Sequence, residues 1–201
     1  MAIEIELKAW VEDADAVRRA LALFAVKEGE FDKDDAYWLP APPAGTDAGT
    51  LTGVPGSGMG TGLGSGLGSG VRIRREGAKA VVNYKRKEVR AGIEVNDERE
   101  FEVSDAPAFE GLLGRLGLAL DIRKRKRGEA WRDGEVLIEL ADIEGLGLFV
   151  EIEILAGSDA AAVVQAVRTR LLTVLDRIGV ARERIESRYY TEMLRESRRS
   201  R

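Results

Sequence analysis

The sequence predicts an α+β domain in which a closed antiparallel β-barrel carries helices packed on its outside. Three observations predict this fold: charged and apolar residues alternate in several segments, short turns join successive segments, and several segments carry charges of one sign. Alternation places the charged side chains on one face of a strand and the apolar side chains on the other. A sheet with one charged, sign-segregated face can close around that face.

The composition predicts one soluble domain and excludes several kinds of chemistry. The chain has 201 residues, of which 44% are hydrophobic and 33% charged, and its formal net charge is -4. We therefore expect neither a nucleic-acid partner nor a membrane span. The chain contains no cysteine and no histidine, which excludes thiol and imidazole catalysis and fits a cytoplasmic location. Any catalysis must then use carboxylates, lysines, arginines, tyrosines or a bound metal.

The first third of the chain predicts a strand, a helix, a short strand and an insertion. Residues 4–8 alternate strictly, and Asp13 or Asp15 can cap the helix that follows. The apolar positions of this helix, at helical spacing, are Val17, Ala20, Leu21 and Phe24. A short strand is predicted at 36–38. Glycine, serine and threonine dominate residues 45–70, which predicts a flexible insertion within a single domain spanning 1–201.

The remaining two thirds predict two groups of strands, each followed by helix. The predicted strands are 71–75, 79–86, 93–103, 122–131, 135–141 and 148–155. Asp105 and Pro107 should start a helix that runs to Leu116 and stops at Gly117, Ser158 should cap a helix over 159–178, and a last helix should cover 182–194. Neighbouring strands joined by short turns favour an antiparallel sheet. The apolar face predicted for the helices to cover comprises Ile5, Val71, Ile73, Val82, Phe101, Val103, Val136, Ile138, Leu140, Val150, Ile152 and Ile154.

The charged face offers two kinds of ligand from separate strands. Carboxylates, the ligands that Mg²⁺ and Mn²⁺ prefer, come from Glu4, Glu6, Glu151 and Glu153. Cations suited to phosphate come from Lys8, Arg72, Arg74, Lys85 and the basic run 123–127. A divalent metal and a triphosphate would fit between them and permit phosphoryl transfer without histidine. The alternative is a set of cross-strand ion pairs, for which the desolvation free energy would be several kcal/mol per buried ion.

Several short motifs, taken in chain order, resemble one known family. They lie at residues 4–8 (Glu-Ile-Glu-Leu-Lys), 35–38 (Asp-Ala-Tyr-Trp), 71–74 (Val-Arg-Ile-Arg), 83–85 (Asn-Tyr-Lys), 144–153 (Glu-Gly-Leu-Gly-Leu-Phe-Val-Glu-Ile-Glu) and 190–194 (Tyr-Thr-Glu-Met-Leu). The first is similar to the ExExK signature of the CYTH superfamily, the triphosphate tunnel metalloenzymes. This superfamily includes class IV adenylyl cyclases, thiamine triphosphatases and inorganic triphosphatases. The resemblance covers the chain except its glycine-rich insertion and implies a triphosphate tunnel.

The resemblance also implies roles for individual residues. The implied metal ligands are Glu4, Glu6, Glu151 and Glu153; the implied phosphate ligands are Lys8, Arg72, Arg74 and Lys85; and Lys8, Glu4 and Glu6 are the expected catalytic residues. Within the basic run, Lys124 and Lys126 are favoured over Arg125 and Arg127 as phosphate ligands. One departure is visible, because an aspartate common in the family falls at Ala141. Glu139 shares a strand face with Ala141 and is expected to replace that aspartate, whereas Asp142 points away.

Three functions follow from this resemblance. The leading hypothesis is an adenylate cyclase that uses Mg²⁺ or Mn²⁺ to convert ATP into cyclic AMP and pyrophosphate. The second is a triphosphatase that hydrolyses inorganic tripolyphosphate, thiamine triphosphate or a nucleotide, and the third is a non-catalytic sensor of polyphosphate or nucleotide. The expected partner is a triphosphate small molecule, and assembly as a homodimer is left open.

Overall fold

The computed structural model describes residues 3–41, 70–90 and 92–200, without the side chains of residues 85–87, 97 and 98. The predicted insertion at 45–70 therefore lies outside the described residues, apart from Gly70. In chain order, the elements are β1 (Ile3–Trp10), α1 (Ala14–Leu21), β2 (Val26–Pro40), β3 (Val71–Glu76), β4 (Lys79–Arg90), β5 (Ile93–Glu102), α2 (Ala106–Arg115), β6 (Leu118–Asp133), β7 (Val136–Ile143), β8 (Gly147–Ala156), α3 (Ala161–Arg177), a 3₁₀ turn (Arg182–Arg184) and α4 (Tyr190–Arg199).

All strand pairs in the sheet are antiparallel. The strand order is β1-β5-β4-β3-β2-β6-β7-β8, and β1 pairs both with β5 and, from Ile3 opposite Ala156 to Trp10 opposite Phe149, with β8. The predicted α+β class, with an antiparallel sheet and accompanying helices, is confirmed. No helix in the described part of the chain is both long and apolar enough to cross a membrane.

The main core lies between one face of the sheet and helices α1 and α3. Strands β1, β5, β7 and β8 present alternate apolar residues to these helices, as the sequence pattern predicts. Buried members of this core include Ile5, Leu7, Leu21, Val136, Ile138, Leu140, Val150, Ile152, Ile154, Leu171 and Leu175. Because alternation sends these residues toward the helices, the charged residues between them face the other side of the sheet.

Two helix caps predicted from the sequence are present. The Oδ1 atom of Asp13 accepts a hydrogen bond from the backbone N of Ala16 at 2.9 Å, and Asp105 Oδ1 accepts one from Ala108 N at 2.9 Å. The expected cap at Ser158 is wrong, because α3 begins at Ala161. The hydroxyl of Ser158 instead accepts a hydrogen bond from Ala160 N at 3.1 Å, within the preceding loop.

Strand β2 is much longer than the predicted 36–38. Its first part, 26–35, is densely charged and shows no clean apolar alternation. It is nevertheless a strand because β6 pairs with it from Val26 opposite Arg132 to Pro40 opposite Leu118.

Phe101, predicted to be buried, is 54% exposed, and its ring lies 6.1 Å from that of Phe109.

The last predicted helix, 182–194, is wrong in its first half. The chain forms only a 3₁₀ turn at Arg182–Arg184 and then lies against β1, where Ile185 pairs with Ala9 and Glu186 N donates to Lys8 O at 2.9 Å. These backbone bonds to β1 replace the helical ones. The helix then starts at Tyr190.

Candidate functional site

A cavity of about 400 Å³ lies on the charged face of the sheet. The predicted site residues that line it are Glu4, Glu6, Lys8, Arg72, Arg74, Lys124, Lys126, Glu139, Glu151 and Glu153. The backbone of Lys85 lies in β4, but its side chain is outside the described residues. The structure thus brings together the predicted residues whose side chains it describes.

The cavity has an acidic side and a basic side that follow the strand order. Neighbouring strands β8, β1 and β5 contribute Glu153, Glu4, Glu6 and Glu94, whereas neighbouring strands β3, β2 and β6 contribute Arg72, Arg74, Lys33, Lys124 and Lys126. Strands β4 and β7 separate the two groups. The sign segregation seen in the sequence is therefore also present in space, with two exceptions: Lys126 contacts Glu139 and Glu151, and Lys8 lies among the acids.

Three carboxylates on the acidic side form a group that we call the carboxylate cluster: Glu4, Glu6 and Glu153. One oxygen from each lies within 4.8 Å of the others, because Glu6 stands opposite Glu153 in the β1–β8 register. The Nδ2 atom of Asn96 donates to Glu4 Oε1 at 3.1 Å and helps to orient it. Three close carboxylate oxygens match the donor type that Mg²⁺ and Mn²⁺ prefer.

Two further carboxylates, Glu139 and Glu151, have a lysine between them, and we call them the lysine-bridged pair. The ammonium of Lys126 donates to Glu139 Oε2 at 2.5 Å and also to Glu151 Oε2. Lys33 Nζ donates to Glu139 Oε1 at 2.5 Å. Burial alone would raise the pKa of Glu151, but Lys126 and Lys124 outweigh burial and hold that pKa below its usual value.

The basic side contains a buried acid. Asp35 is fully buried on β2, where it stands opposite Arg74 of β3 and Lys124 of β6. Arg74 donates to its two oxygens at 2.7 and 3.1 Å, and Lys124 Nζ lies 3.1 Å from Oδ2. Burial would raise the pKa of Asp35, but Arg74, Lys124 and Arg72 hold it well below its usual value.

A family model for the CYTH domain matches residues 64–190, which is more than half of the chain. The chain belongs to the CYTH family. No curated protein matches the sequence.

Solved structures similar to this CYTH domain support the same fold. A protein from Pyrococcus horikoshii is 23% identical, with a TM-score of 0.73, over 95% of this chain and 99% of that one. A candidate adenylate cyclase from Vibrio parahaemolyticus is 17% identical, with a TM-score of 0.72, over 96% and 98%. A candidate adenylyl cyclase from Hippeastrum, described as having a dominant triphosphatase activity, is 19% identical, with a TM-score of 0.57, over 98% and 96%.

Lys8 of this CYTH domain lies on the acidic side of the cavity. It is buried, and its ammonium donates to Glu94. Burial lowers the pKa of Lys8, but the carboxylates of Glu94 and Glu6 outweigh that effect and raise it above the usual value. Lys8 therefore remains charged beside the carboxylate cluster.

Arg72 extends the basic side toward β5. Its Nη2 atom donates to Glu100 Oε1 at 3.2 Å, and Asn83 Nδ2 donates to the same oxygen at 3.0 Å. Tyr37, which stands opposite Arg72 in the β2–β3 register, also lines the cavity. These contacts orient a guanidinium that can donate to phosphate oxygens.

Two tyrosines from the C-terminal segment complete the cavity. The ring centre of Tyr190, at the start of α4, is 5.4 Å from Lys8 Nζ and 5.1 Å from Lys124 Nζ. Burial, with the nearby charge of Glu94, raises the pKa of Tyr189 to about 12. Burial and the charge of Glu151 also raise the pKa of Tyr190 well above its usual value, so both tyrosines are neutral at physiological pH.

Sequence reasoning missed several residues of the site. The lining residues without a predicted role are Lys33, Tyr37, Glu94, Glu100, Leu137, Leu155, Tyr189, Tyr190 and Thr191, and Asp35 and Asn96 beside the cavity had none either. A signal existed for some of them, because Glu94 and Asn96 alternate with the buried Ile93 and Val95. Lys33 gave no comparable signal, since it lies in the charged part of β2.

Proposed function

We propose that this CYTH domain is a divalent-metal-dependent enzyme that acts on a triphosphate. The observation that carries the proposal is the division of one cavity into an acidic side, with three carboxylate oxygens within 4.8 Å, and a basic side on three neighbouring strands. Placing so many ionic groups in a shared interior is costly without a ligand that uses them. A polyanion with a bound cation complements both sides.

The metal ligands in this proposal are the carboxylates of Glu4, Glu6 and Glu153. Their hard oxygen donors fit Mg²⁺ or Mn²⁺, which binds through a few carboxylates together with substrate phosphates. Such an ion would neutralise phosphate charge and polarise the phosphoryl oxygens. The sequence-based assignment of Glu139 and Glu151 to the metal has less support, because Lys126 already bridges these two carboxylates.

The phosphate ligands in this proposal are the cations of the basic side. Arg72, Arg74 and Lys124 would hold the phosphate chain and stabilise the charge that develops on the leaving oxygen. We further propose that the sheet works as a closed barrel, since β1 pairs with β8 as well as with β5. A closed wall would keep these cations at fixed distances from the carboxylate cluster.

Hydrolysis is the reaction that the cavity lining favours. Of the described lining residues, only Leu137 and Leu155 are aliphatic, and most of the others are charged. Such a lining suits the phosphate chain itself better than a nucleobase. In hydrolysis, water attacks the terminal phosphorus and loses a proton, the bond from that phosphorus to the bridging oxygen breaks, and the remaining diphosphate part of the substrate leaves with that oxygen, so the attacked group is released as orthophosphate.

Adenylate cyclisation is the second candidate, and the two leucines are the observation that favours it. Leu137 stands opposite Glu153, and Leu155 stands opposite Glu4, so both adjoin the carboxylate cluster. Leu155 is 64% exposed, which leaves an apolar surface where a base could rest. In this reaction the ribose 3′ oxygen attacks the α-phosphorus, and pyrophosphate leaves.

Product analysis with Mn²⁺ tests the proposal and separates the two reactions. Purified protein is incubated with inorganic tripolyphosphate, thiamine triphosphate or ATP, and the products are separated by ion-exchange chromatography. Orthophosphate release without cyclic nucleotide supports hydrolysis, whereas equal amounts of cyclic AMP and pyrophosphate support cyclisation. Tight triphosphate binding with no product from any substrate would instead identify a sensor and overturn the enzyme proposal.

A further inference from the structure

We propose that Asp35 is a positioning residue that fixes Arg74 and Lys124 as one phosphate-binding unit. This inference rests on the proposed function, because it concerns how the basic side of that site is held. Asp35 would act through the two cations and would not touch the substrate itself.

The strand register is the first support for this role. Asp35 stands opposite Arg74 on one neighbouring strand and opposite Lys124 on the other. The three residues therefore form a row across β3, β2 and β6. Because side chains directly opposite one another in antiparallel strands lie close together, the acid is placed between two cations that would otherwise repel each other.

The contacts show how the acid holds the two cations. Arg74 uses Nε and Nη2 to bind both carboxylate oxygens at 2.7 and 3.1 Å. This two-point contact fixes the plane of the guanidinium as well as its position. Lys124 Nζ lies 3.1 Å from Oδ2, so one carboxylate sets the location of both cationic groups.

Burial indicates on which side of the cations the acid lies. Asp35 has no exposed surface, whereas the side chain of Arg74 is 21% exposed and that of Lys124 is 6% exposed. Arg74 and Lys124 line the cavity, and Asp35 lies behind them. It can therefore hold their positions while their remaining donors face a ligand.

A positioning role and a simple charge effect predict opposite changes in polyphosphate affinity when Asp35 is replaced. Replacing Asp35 by asparagine removes a negative charge behind the basic side, so electrostatics alone would make polyphosphate bind more tightly. If Asp35 positions the cations, their separation and orientation change, and binding becomes weaker. A loss of about tenfold or more is expected, since small misplacements of binding groups have effects of this order.

The binding test uses full-length protein and inorganic tripolyphosphate in EDTA, measured by calorimetry. The variants are Asp35→Asn, Asp35→Glu and the matched control Asp34→Asn. Asp34 is the neighbouring residue on β2, lies 45% exposed and pairs with Arg123 at 3.6 Å outside the cavity. We expect weaker binding in both Asp35 variants and unchanged binding in the control. Circular dichroism establishes that each variant is folded at the assay temperature.

The glutamate variant keeps the proposal falsifiable if the asparagine variant does not fold. It retains the charge but moves the carboxylate by one methylene, so a positioning role predicts weaker binding and a pure charge role predicts no change. Turnover, where the wild type shows it, should change mainly through KM and less through kcat.

The outcomes separate this inference from the proposed function. If both Asp35 variants bind tripolyphosphate as tightly as the wild type, or more tightly, the positioning role alone is overturned. Failure of the wild type to bind tripolyphosphate in EDTA and also with Mn²⁺ present would overturn both the proposed function and this inference. Asp35→Asn should weaken binding when Arg74 is present. If it causes no further loss of affinity in the Arg74→Met variant, Asp35 acts through Arg74.

Discussion

The carboxylate cluster and the lysine-bridged pair use the same residue type in one cavity but in different surroundings. Glu153 and Glu151 lie two positions apart on β8 and point into the same cavity. Glu153 stands opposite Glu6, and its oxygens lie near those of two other acids, whereas Glu151 shares an ammonium with Glu139. The partner supplied by the neighbouring strands therefore sets the chemistry of each glutamate.

This difference predicts two distinct roles for the acids. Carboxylates gathered close together favour a multivalent cation, because its charge offsets their mutual repulsion. In the lysine-bridged pair, the buried Lys126 already supplies a positive charge that offsets the repulsion between the two carboxylates. Removing the lysine should therefore affect folding, and removing a member of the carboxylate cluster should affect metal binding.

The largest expected effect follows from Lys126→Met. Lys126 is 2% exposed and contacts both acids of the lysine-bridged pair, so its removal leaves the buried carboxylate of Glu139 and the partly buried one of Glu151 without their shared cation. We expect the free energy of unfolding, measured in urea without metal, to fall by about 3–5 kcal/mol. Mn²⁺ should restore more stability to this variant than it adds to the wild type, because the two carboxylates can then accept the ion.

Arg127→Met is the matched control for that substitution. Arg127 lies on the same strand, with its side chain 54% exposed and paired with Asp32 at 3.3 Å. Its loss should cost less than about 1 kcal/mol, as is usual for surface ion pairs. Equal losses in the two variants would mean that the buried bridge has no special role in stability.

Glu6→Gln should have the next largest effect, on metal binding. The amide keeps the side-chain volume but removes one charged ligand from the carboxylate cluster. We expect Mn²⁺ affinity, followed by electron paramagnetic resonance, to fall by about tenfold or more, which is about 1.4 kcal/mol. Glu151→Gln, from the lysine-bridged pair, should weaken Mn²⁺ binding less; the reverse order would assign the metal to that pair.

The faces of the cavity strands could be predicted from the sequence because alternation is a local property. It correctly placed Glu139 in the cavity and Asp142 outside it. The choice of Lys124 and Lys126 over Arg125 came from the resemblance, because the continuous basic run leaves the register open; Lys124 and Lys126 line the cavity, and Arg125 pairs with Asp32 outside it. The period of a strand fixes which residues share a face, but in a run of like charges it does not fix which face lines the cavity.

The partners of these residues could not be predicted, because they depend on register between distant strands. Lys33 stands opposite Lys126 in the long pairing of β2 with β6, whose register shifts at Lys27/Gly29 and at Tyr37/Trp38. Nothing in the charged segment 26–35 signals this pairing. For the same reason, the sequence identified Glu139 and Glu151 as metal ligands and did not reveal the lysine between them.

The smallest expected effect comes from the Glu186–Arg188 ion pair outside the cavity. This pair extends the comparison of the cavity acids to an acid whose partner is exposed. The side-chain hydrogen bond from Arg188 lowers the pKa of Glu186 to about 2, from an ordinary value of 4.5. A lowered folded-state pKa stabilises the fold above about pH 4.5, and this contribution is lost as the pH falls toward 2. The unfolding free energy of Glu186→Gln should therefore change less between pH 6 and pH 3 than that of the wild type. Because the Arg188 side chain is 49% exposed, we expect a difference of about 1 kcal/mol or less. A Glu186→Gln profile identical to that of the wild type would show that the exposed Arg188 contributes nothing measurable.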